Sequence, residues 1–214
     1  MGNQDNEGKF HGKNISDLLF LEIFAGTARL SAAMHEVGFE TLAVDKTAAR
    51  AGKQHIALYD VTDPLQLKSL KDFAQEESSR IVYAHLAPAC GTASRAREKR
   101  LPRLQKQGFR VPQPLRSDAK PRGLDKLSGL DKIKTELANQ SYDATAEIID
   151  LCLQLEVLIS VENPANSLFW KYPEISNLCS KKGFKAIFDN CTHGGRRAKA
   201  TLRGLRNGSL RPWQ

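Results

Sequence analysis

One stretch constrains this chain more than any other: Leu18-Leu-Phe-Leu-Glu-Ile23, running directly into Phe24-Ala-Gly-Thr27. The apolar run is too short to span a membrane and suits a strand buried in a sheet. A small-residue turn follows. A helical pattern then starts near Ala28, with Leu30, Ala33, Met34 and Val37 at i, i+3, i+4 and i+7 and Gly38 as its stop, so a helix is expected over 27–37 with that apolar stripe facing the core. Strand, tight turn and helix N-terminus in succession suit an anion or a nucleotide. Small residues let the backbone approach the ligand, and the free N–H groups of the first helical turn point at it. A helix packed on a sheet with no ligand fits the turn alone equally well.

The rest of the chain repeats the strand–helix alternation. A second strand, Thr41–Val44, ends in Asp45, an acid roughly twenty positions past the turn, where a ribose-binding carboxylate is required. A short helix is expected over 47–53. A third strand, Ile56–Tyr59, delivers Asp60, and Asp63-Pro64 starts a helix with a capping side chain and a first-turn proline. Strand four, Ile81–His85, leads to Leu86-Ala-Pro-Ala-Cys-Gly-Thr92. A helix over 141–155, a fifth strand over 157–161 running into Glu162-Asn163-Pro164, an interrupted helix over 167–179 and a sixth strand over 184–188 complete the pattern. Such alternation implies an α/β fold with a mostly parallel sheet covered by helices on both faces, and ligands outside the carboxyl ends of its strands. The Gly26 turn, Asp45, Asp60, Cys90 and Glu162 all fall at such ends.

Charge is segregated. The net charge is +8, yet residues 95–134 alone carry +9 and residues 181–214 carry +8, which leaves the remainder at −9. An acidic body with two basic segments is the footprint of a polyanion partner; a solvated basic loop and tail is the plainer alternative. Four prolines and three glycines between 95 and 130 argue for a long loop there. The expected organisation is a polar lead-in over 1–16, one catalytic-type domain over 17–200 with a basic insertion at 95–134, and a basic tail over 201–214. No apolar segment is of membrane-spanning length, and residues 1–13 do not form a secretory signal. Cys90, Cys152, Cys179 and Cys191 lie far apart. That spacing supports neither a disulfide framework nor a metal site, and it suits a reducing, intracellular setting: nuclear in a eukaryote, cytoplasmic in a bacterium or phage.

Two residues carry candidate chemistry. Cys90 sits in a turn between Pro88 and Gly91 with His85, Arg95 and Arg97 near in sequence, a setting that favours the nucleophilic thiolate; a small apolar side chain at a strand end is the alternative. Glu162 ends an otherwise apolar strand, where a carboxyl group can serve as a proton donor or stand as an exposed strand-end charge.

In combination these residues resemble the DNA (cytosine-5) methyltransferases. Phe24-Ala25-Gly26-Thr27-Ala28 is similar to that family's Phe-x-Gly-x-Gly turn, with Ala28 adding a methyl group at the second glycine. Asp45 matches its ribose-binding acid and Asp60 its adenine-contacting acid. Pro88-Ala89-Cys90 resembles the Pro-Pro-Cys nucleophile loop, with Ala89 in place of a proline that would stiffen it. Glu162-Asn163-Pro164 resembles the Glu-Asn-Val strand end, and His193-Gly-Gly-Arg196-Arg197 the Gln-x-Arg-x-Arg segment.

The resemblance implies a Rossmann-like fold and S-adenosylmethionine as cofactor, held by Phe24, Ala25, Gly26, Thr27, Ala28, Asp45, Lys46, Asp60, Val61 and Pro88. It further implies Cys90 as nucleophile at cytosine carbon 6, Glu162 at ring nitrogen 3, Asn163 holding the loops around the base, and Arg196 or Arg197 orienting it. Nucleic acid, DNA first, is the implied partner, reached by taking the target base out of the stack, with the basic insertion along the phosphates. Only 17 residues follow Arg197, too few for that family's separate target-recognition domain; a fragment, a minimal or split enzyme with a second chain supplying target recognition, and a decayed copy from a mobile element are the readings that fit. A binding protein that keeps this fold without turnover is the alternative. A nucleotide-dependent oxidoreductase fits less well, because the turn lacks the three glycines of the dinucleotide fingerprint and Cys90 and Glu162 would have no role.

Overall fold

The structure is a computed structural model and describes residues 10, 12–48, 54–109, 111–186 and 202–205. Seven strands form one sheet: β1 (Leu19–Ile23), β2 (Glu40–Asp45), β3 (Ile56–Leu58), β4 (Ile81–Leu86), β5 (Leu158–Glu162), β6 (Gly183–Ala186) and β7 (Leu202–Leu205), in the order β3-β2-β1-β4-β5-β7-β6. The first five run parallel; β7 lies antiparallel to both β5 and β6. Strand order reverses between β1 and β4, and the crevice outside the carboxyl ends of those strands is where such sheets bind ligands.

All five residues of β1 are buried, as expected of a central strand covered on both faces. One of them is a carboxylate. Glu22, 6% exposed, accepts hydrogen bonds from the Ser31 backbone N–H at 2.7 Å and the Ser31 hydroxyl at 2.5 Å. That pairing turns helix α1 (Arg29–Glu36). The sequence places Leu30, Ala33, Met34 and Val37 toward the core, but the side chain α1 buries fully is Ser31, while Leu30 and Val37 are exposed. A buried carboxylate left without donors costs more than a few exposed methyl groups, so the helix presents its serine to the sheet.

Helix α2 (Pro64–Glu76) begins as expected. Asp63 caps it by accepting from the N–H groups of Leu65 and Gln66, and Leu67, Leu70 and Ala74 face the core. Residues 95–130 depart from the expected loop. A 3-10 turn spans Arg95–Glu98, helix α3 spans Pro102–Lys106, and the long helix α4 runs from Gly129 to Gln154, starting twelve residues before the expected position. Leu115 and Arg116 are fully buried within this segment. Thr135 is the buried contact in the early part of α4, where Leu130, Ile133 and Leu137 stay exposed, so that part carries no core-facing apolar stripe.

After β5, a 3-10 turn at Leu168–Lys171 and helix α5 (Pro173–Lys182) follow the expected interrupted helix. Tyr142 of α4 meets Phe169 and Tyr172 edge-on, with ring centroids 4.9 and 5.3 Å apart, at the centre of the main apolar core. Two further differences concern the end of the chain. β6 covers Gly183–Ala186, and Leu202–Leu205, expected within a tail, is a strand inside the sheet. Most of the short helix expected over 47–53 falls outside the described residues, as do Cys191, His193, Arg196 and Arg197. Among the described residues no helix is long and apolar enough to cross a membrane, and Cys90 and Cys152 are free thiols.

Candidate functional site

A cleft of ≈ 210 Å³ opens at the carboxyl ends of β1, β2, β3 and β4. Ile23 and Phe24 close its β1 side, Val44, Asp45 and Lys46 come from the end of β2, and Tyr59, Asp60, Val61 and Thr62 follow β3. Ala87 and Ala89 follow β4, and Ser141 reaches in from α4. The cleft is therefore the crevice at the point where strand order reverses.

The turn after β1 is built from left-handed backbone. Phe24, Gly26 and Ala28 have φ of 61°, 59° and 51°. Only the glycine adopts that conformation freely; each L-residue there costs roughly 1–2 kcal/mol. Hydrogen bonds hold the turn in place: Ala25 N–H donates to the Val44 carbonyl at 3.1 Å and Ala28 N–H to the Ala25 carbonyl at 2.8 Å. Gly26 N–H donates to Asp45 Oδ2 at 2.9 Å, and Asp45 Oδ1 accepts from the Thr47 N–H and hydroxyl, both at 3.1 Å. Two features that the sequence assigns separately to a ligand, the turn amide and the strand-end acid, are bonded to each other.

Ala25, Gly26, Thr27 and Ala28 do not line the cleft. Ala28 is fully buried against Ala25, Ala43 and Ile56, so its methyl group packs into the body rather than narrowing the ligand space. Asp60 accepts from the Thr62 N–H at 3.0 Å and the Thr62 hydroxyl at 2.6 Å. The Thr62 hydrogen bonds and the nearby Lys46 charge hold its carboxyl below the usual range.

The second cluster lies where β4 and β5 end side by side, Leu86 opposite Val161. The Asn163 amide, fully buried, donates from Nδ2 to the Pro88 carbonyl at 2.9 Å, and its Oδ1 has no hydrogen-bond partner among the described residues. The Tyr142 hydroxyl donates to the Ala89 carbonyl at 2.9 Å. The Cys90 carbonyl accepts from Ala93 N–H at 3.1 Å and Ser94 N–H at 2.8 Å. Ala89 has none of a proline's stiffness, and these bonds pin the loop in its stead. Cys90 itself is part-exposed, and Glu162 is half-buried at the end of β5.

Pro164 fixes the far side: its carbonyl accepts from Ser167 N–H and Trp170 Nε1, both at 2.9 Å. His85, near Cys90 in sequence, instead faces Ser160 across the sheet, Nδ1 to Oγ 2.8 Å, and burial pushes its imidazole down to about 4.

No family model matches this sequence, and no curated protein matches it. Among solved structures, the chain is similar to the S. pombe Dnmt2 methyltransferase, with a TM-score of 0.51 and 14% sequence identity over 92% of this chain and 52% of that one. The fold is Rossmann-like, shared with that methyltransferase. The chain spans about half the length of the Dnmt2 protein. The ligand-free aldohexose dehydrogenase of Thermoplasma acidophilum aligns with a TM-score of 0.32 and 12% identity over 63% of this chain and 61% of that one.

Within this fold, the structure brings Phe24, Asp45, Lys46, Asp60 and Val61 to one cleft and Pro88, Cys90, Glu162 and Asn163 to the ends of two neighbouring strands. Ala87 and Ala89, the neighbours of Pro88, line the cleft and join the two groups. Sequence reasoning missed Tyr59, Thr62 and Ser141 in the cleft, and Tyr142 and Arg116 behind the Cys90 loop. Thr62 was open to detection, because a hydroxyl two residues after an aspartate is a common local acceptor–donor pair. Ser141 was not, since only the packing of α4 brings it to the strand ends.

Proposed function

We propose that this chain is an S-adenosylmethionine-dependent methyltransferase acting on carbon 5 of cytosine in nucleic acid, DNA first, through a covalent adduct with Cys90. The observation that carries the reading is the Asn163–Pro88 bond at 2.9 Å, which ties the strand end bearing Glu162 to the loop bearing Cys90 beside the cleft. The cleft suits the cofactor. Asp45 offers a carboxylate for a ribose diol, and Ile23, Val44 and Val61 offer an apolar wall to the base. Phe24, Asp45, Lys46, Asp60 and Val61 would hold the cofactor. When bound, it supplies a methyl group as an electrophile and leaves as a neutral thioether.

The protein's own residues make cytosine reactive. Cys90 adds as thiolate to carbon 6, forming a sulfur–carbon bond while the ring's 5,6 electron pair makes carbon 5 nucleophilic. Glu162 holds a proton at nitrogen 3 and stabilises the charge that addition places in the ring. After carbon 5 has gained the methyl group, its proton leaves to solvent, the carbon–sulfur bond breaks and Cys90 regains its electron pair. Asn163 keeps the two loops in register.

The basic segments supply the affinity for the polyanion, so binding falls steeply with salt. The test is covalent capture. DNA containing 5-fluorocytosine, incubated with protein and S-adenosylmethionine, yields an adduct stable to denaturing electrophoresis, and Cys90→Ser abolishes it. Equal capture by Cys90→Ser overturns the nucleophile. Salt-sensitive DNA binding without cofactor heat in calorimetry leaves a non-catalytic binding protein in its place.

A further inference from the structure

One cation in the basic segment behaves unlike its neighbours. Arg116 is 2% exposed, and its donors are spent inside the protein. Nε and Nη2 donate to Thr92 Oγ1 at 3.2 and 3.0 Å, Nη2 to the Thr135 carbonyl at 3.3 Å, and Nη1 to the Pro121 carbonyl at 2.6 Å and Asn139 Oδ1 at 2.7 Å. A guanidinium has five N–H groups, and here five contacts satisfy them, none to a carboxylate. The charge is offset by the face of Tyr142, whose ring centroid lies 5.1 Å from the guanidinium carbon. Burying a cation without an anion is expensive, and a segment that only needed anchoring could use apolar side chains.

The cost maintains the turn that carries Cys90. Arg116 grips the Thr92 hydroxyl and lies over the Tyr142 ring, and the Tyr142 hydroxyl donates to the carbonyl of Ala89. The residues on both sides of Cys90 are thus gripped by one buried assembly on α4. With Asn163 on Pro88, Ala93 and Ser94 on the Cys90 carbonyl, and Leu168 N–H on the Ala93 carbonyl at 2.9 Å, every residue from 88 to 93 except Gly91 is tied down. The segment itself presses close: a Cβ built on Gly123 would meet Thr135 Cγ2 at 2.9 Å.

We infer that Arg116 is a positioning residue for Cys90, acting through Thr92 and Tyr142 to hold the nucleophile turn in one arrangement. This rests on the reading of Cys90 given above. A turn held this way keeps the thiol within reach of the target carbon, and a displacement of about 1 Å at such a site can cost on the order of a hundredfold in rate.

The test uses the full chain with Thr92→Val, which removes the hydroxyl that accepts from Arg116 at nearly constant volume, Thr92→Ser, which keeps it, and Arg116→Met. Adduct formation on 5-fluorocytosine DNA is followed at saturating DNA and cofactor, beside cofactor affinity and urea midpoint. Thr92→Val and Arg116→Met are expected to slow capture by about 10- to 100-fold with cofactor affinity unchanged, and Thr92→Ser to recover most of the loss. Capture at the wild-type rate in Thr92→Val overturns the inference. So does a loss in Thr92→Ser equal to that in Thr92→Val, because the hydroxyl then plays no part.

A second readout does not depend on the reaction. Hydrogen exchange at the Ala93 and Ser94 amides should quicken by about tenfold in Thr92→Val and stay near wild type in Thr92→Ser. If wild-type protein forms no adduct, the methyltransferase reading fails on that ground, and the exchange rates alone decide whether Arg116 holds the turn. Unchanged exchange refutes it.

Discussion

Acidifying this protein between pH 7 and 4.5 should weaken it through one residue. His85 lies in β4, in register between Glu22 of β1 and Ser160 of β5, with its Nδ1 2.8 Å from Ser160 Oγ. Burial pushes its folded-state value from 6.5 down to about 4. The unfolded chain therefore binds the proton more readily than the folded one throughout that window, and stability falls as pH falls through it. At pH 7 both states are neutral and the residue contributes almost nothing. Linkage between the two values gives a loss of about 1 kcal/mol by pH 5.5 and about 2.5 kcal/mol by pH 4.5.

The assay is urea denaturation at a series of pH values on wild type and His85→Gln. Other groups titrate in both proteins, so the informative quantity is the difference between the two curves. Wild type should lose about 1 kcal/mol more than the variant between pH 7 and 5.5. Curves that stay parallel would refute the reasoning and mean that His85 accepts its proton inside the folded sheet.

Three further substitutions test the packing and hydrogen bonds behind the cleft. Ala28→Gly should leave the urea midpoint within about 0.5 kcal/mol of wild type. Relief of left-handed backbone, roughly 1–2 kcal/mol, is offset by a lost buried methyl group, about 0.8 kcal/mol, and by a freer unfolded chain. A loss above about 2 kcal/mol would show that the turn is not strained. Ser31→Ala removes one of the two hydrogen bonds to the buried Glu22 carboxylate and should cost about 1.5–3 kcal/mol by the same measurement; an unchanged midpoint would mean that Glu22 finds another donor. Asp63→Ala removes a cap that accepts from two backbone amides and should cost about 1 kcal/mol, a fall of roughly 2–4 °C in melting temperature.

What the sequence made legible was local. The β1 run, the Asp63-Pro64 helix start and the strand-end acids each carry their signal within a few residues, and the sheet assembled from them has the expected order of events. Where reading failed, a distant partner decided the outcome. The stripe on α1 was read by period alone, but the helix is turned by Glu22, nine residues earlier and inside another element. The start of α4 was hidden because its first turns expose Leu130, Ile133 and Leu137. Arg116 looked like one more charge in a basic run, and its burial depends on Thr92 and Asn139, which are more than twenty residues away on either side. Leu202–Leu205 is four residues long, too short for a period to show, and it becomes a strand by pairing with β5 and β6.

That last strand bears on how the chain is made. β1 to β4 can pair with one another as they leave the ribosome, because each finds its neighbour among strands already synthesised. β5 joins β4 on one edge, but its other edge stays open for some forty residues until β7 arrives and inserts between β5 and β6. Glu162, opposite Leu202 in that pairing, sits on the edge that closes last. The cleft can thus form early in synthesis, whereas the strand edge bearing Glu162 beside it waits for the late strand, and the interval leaves an unpaired strand edge exposed to other chains.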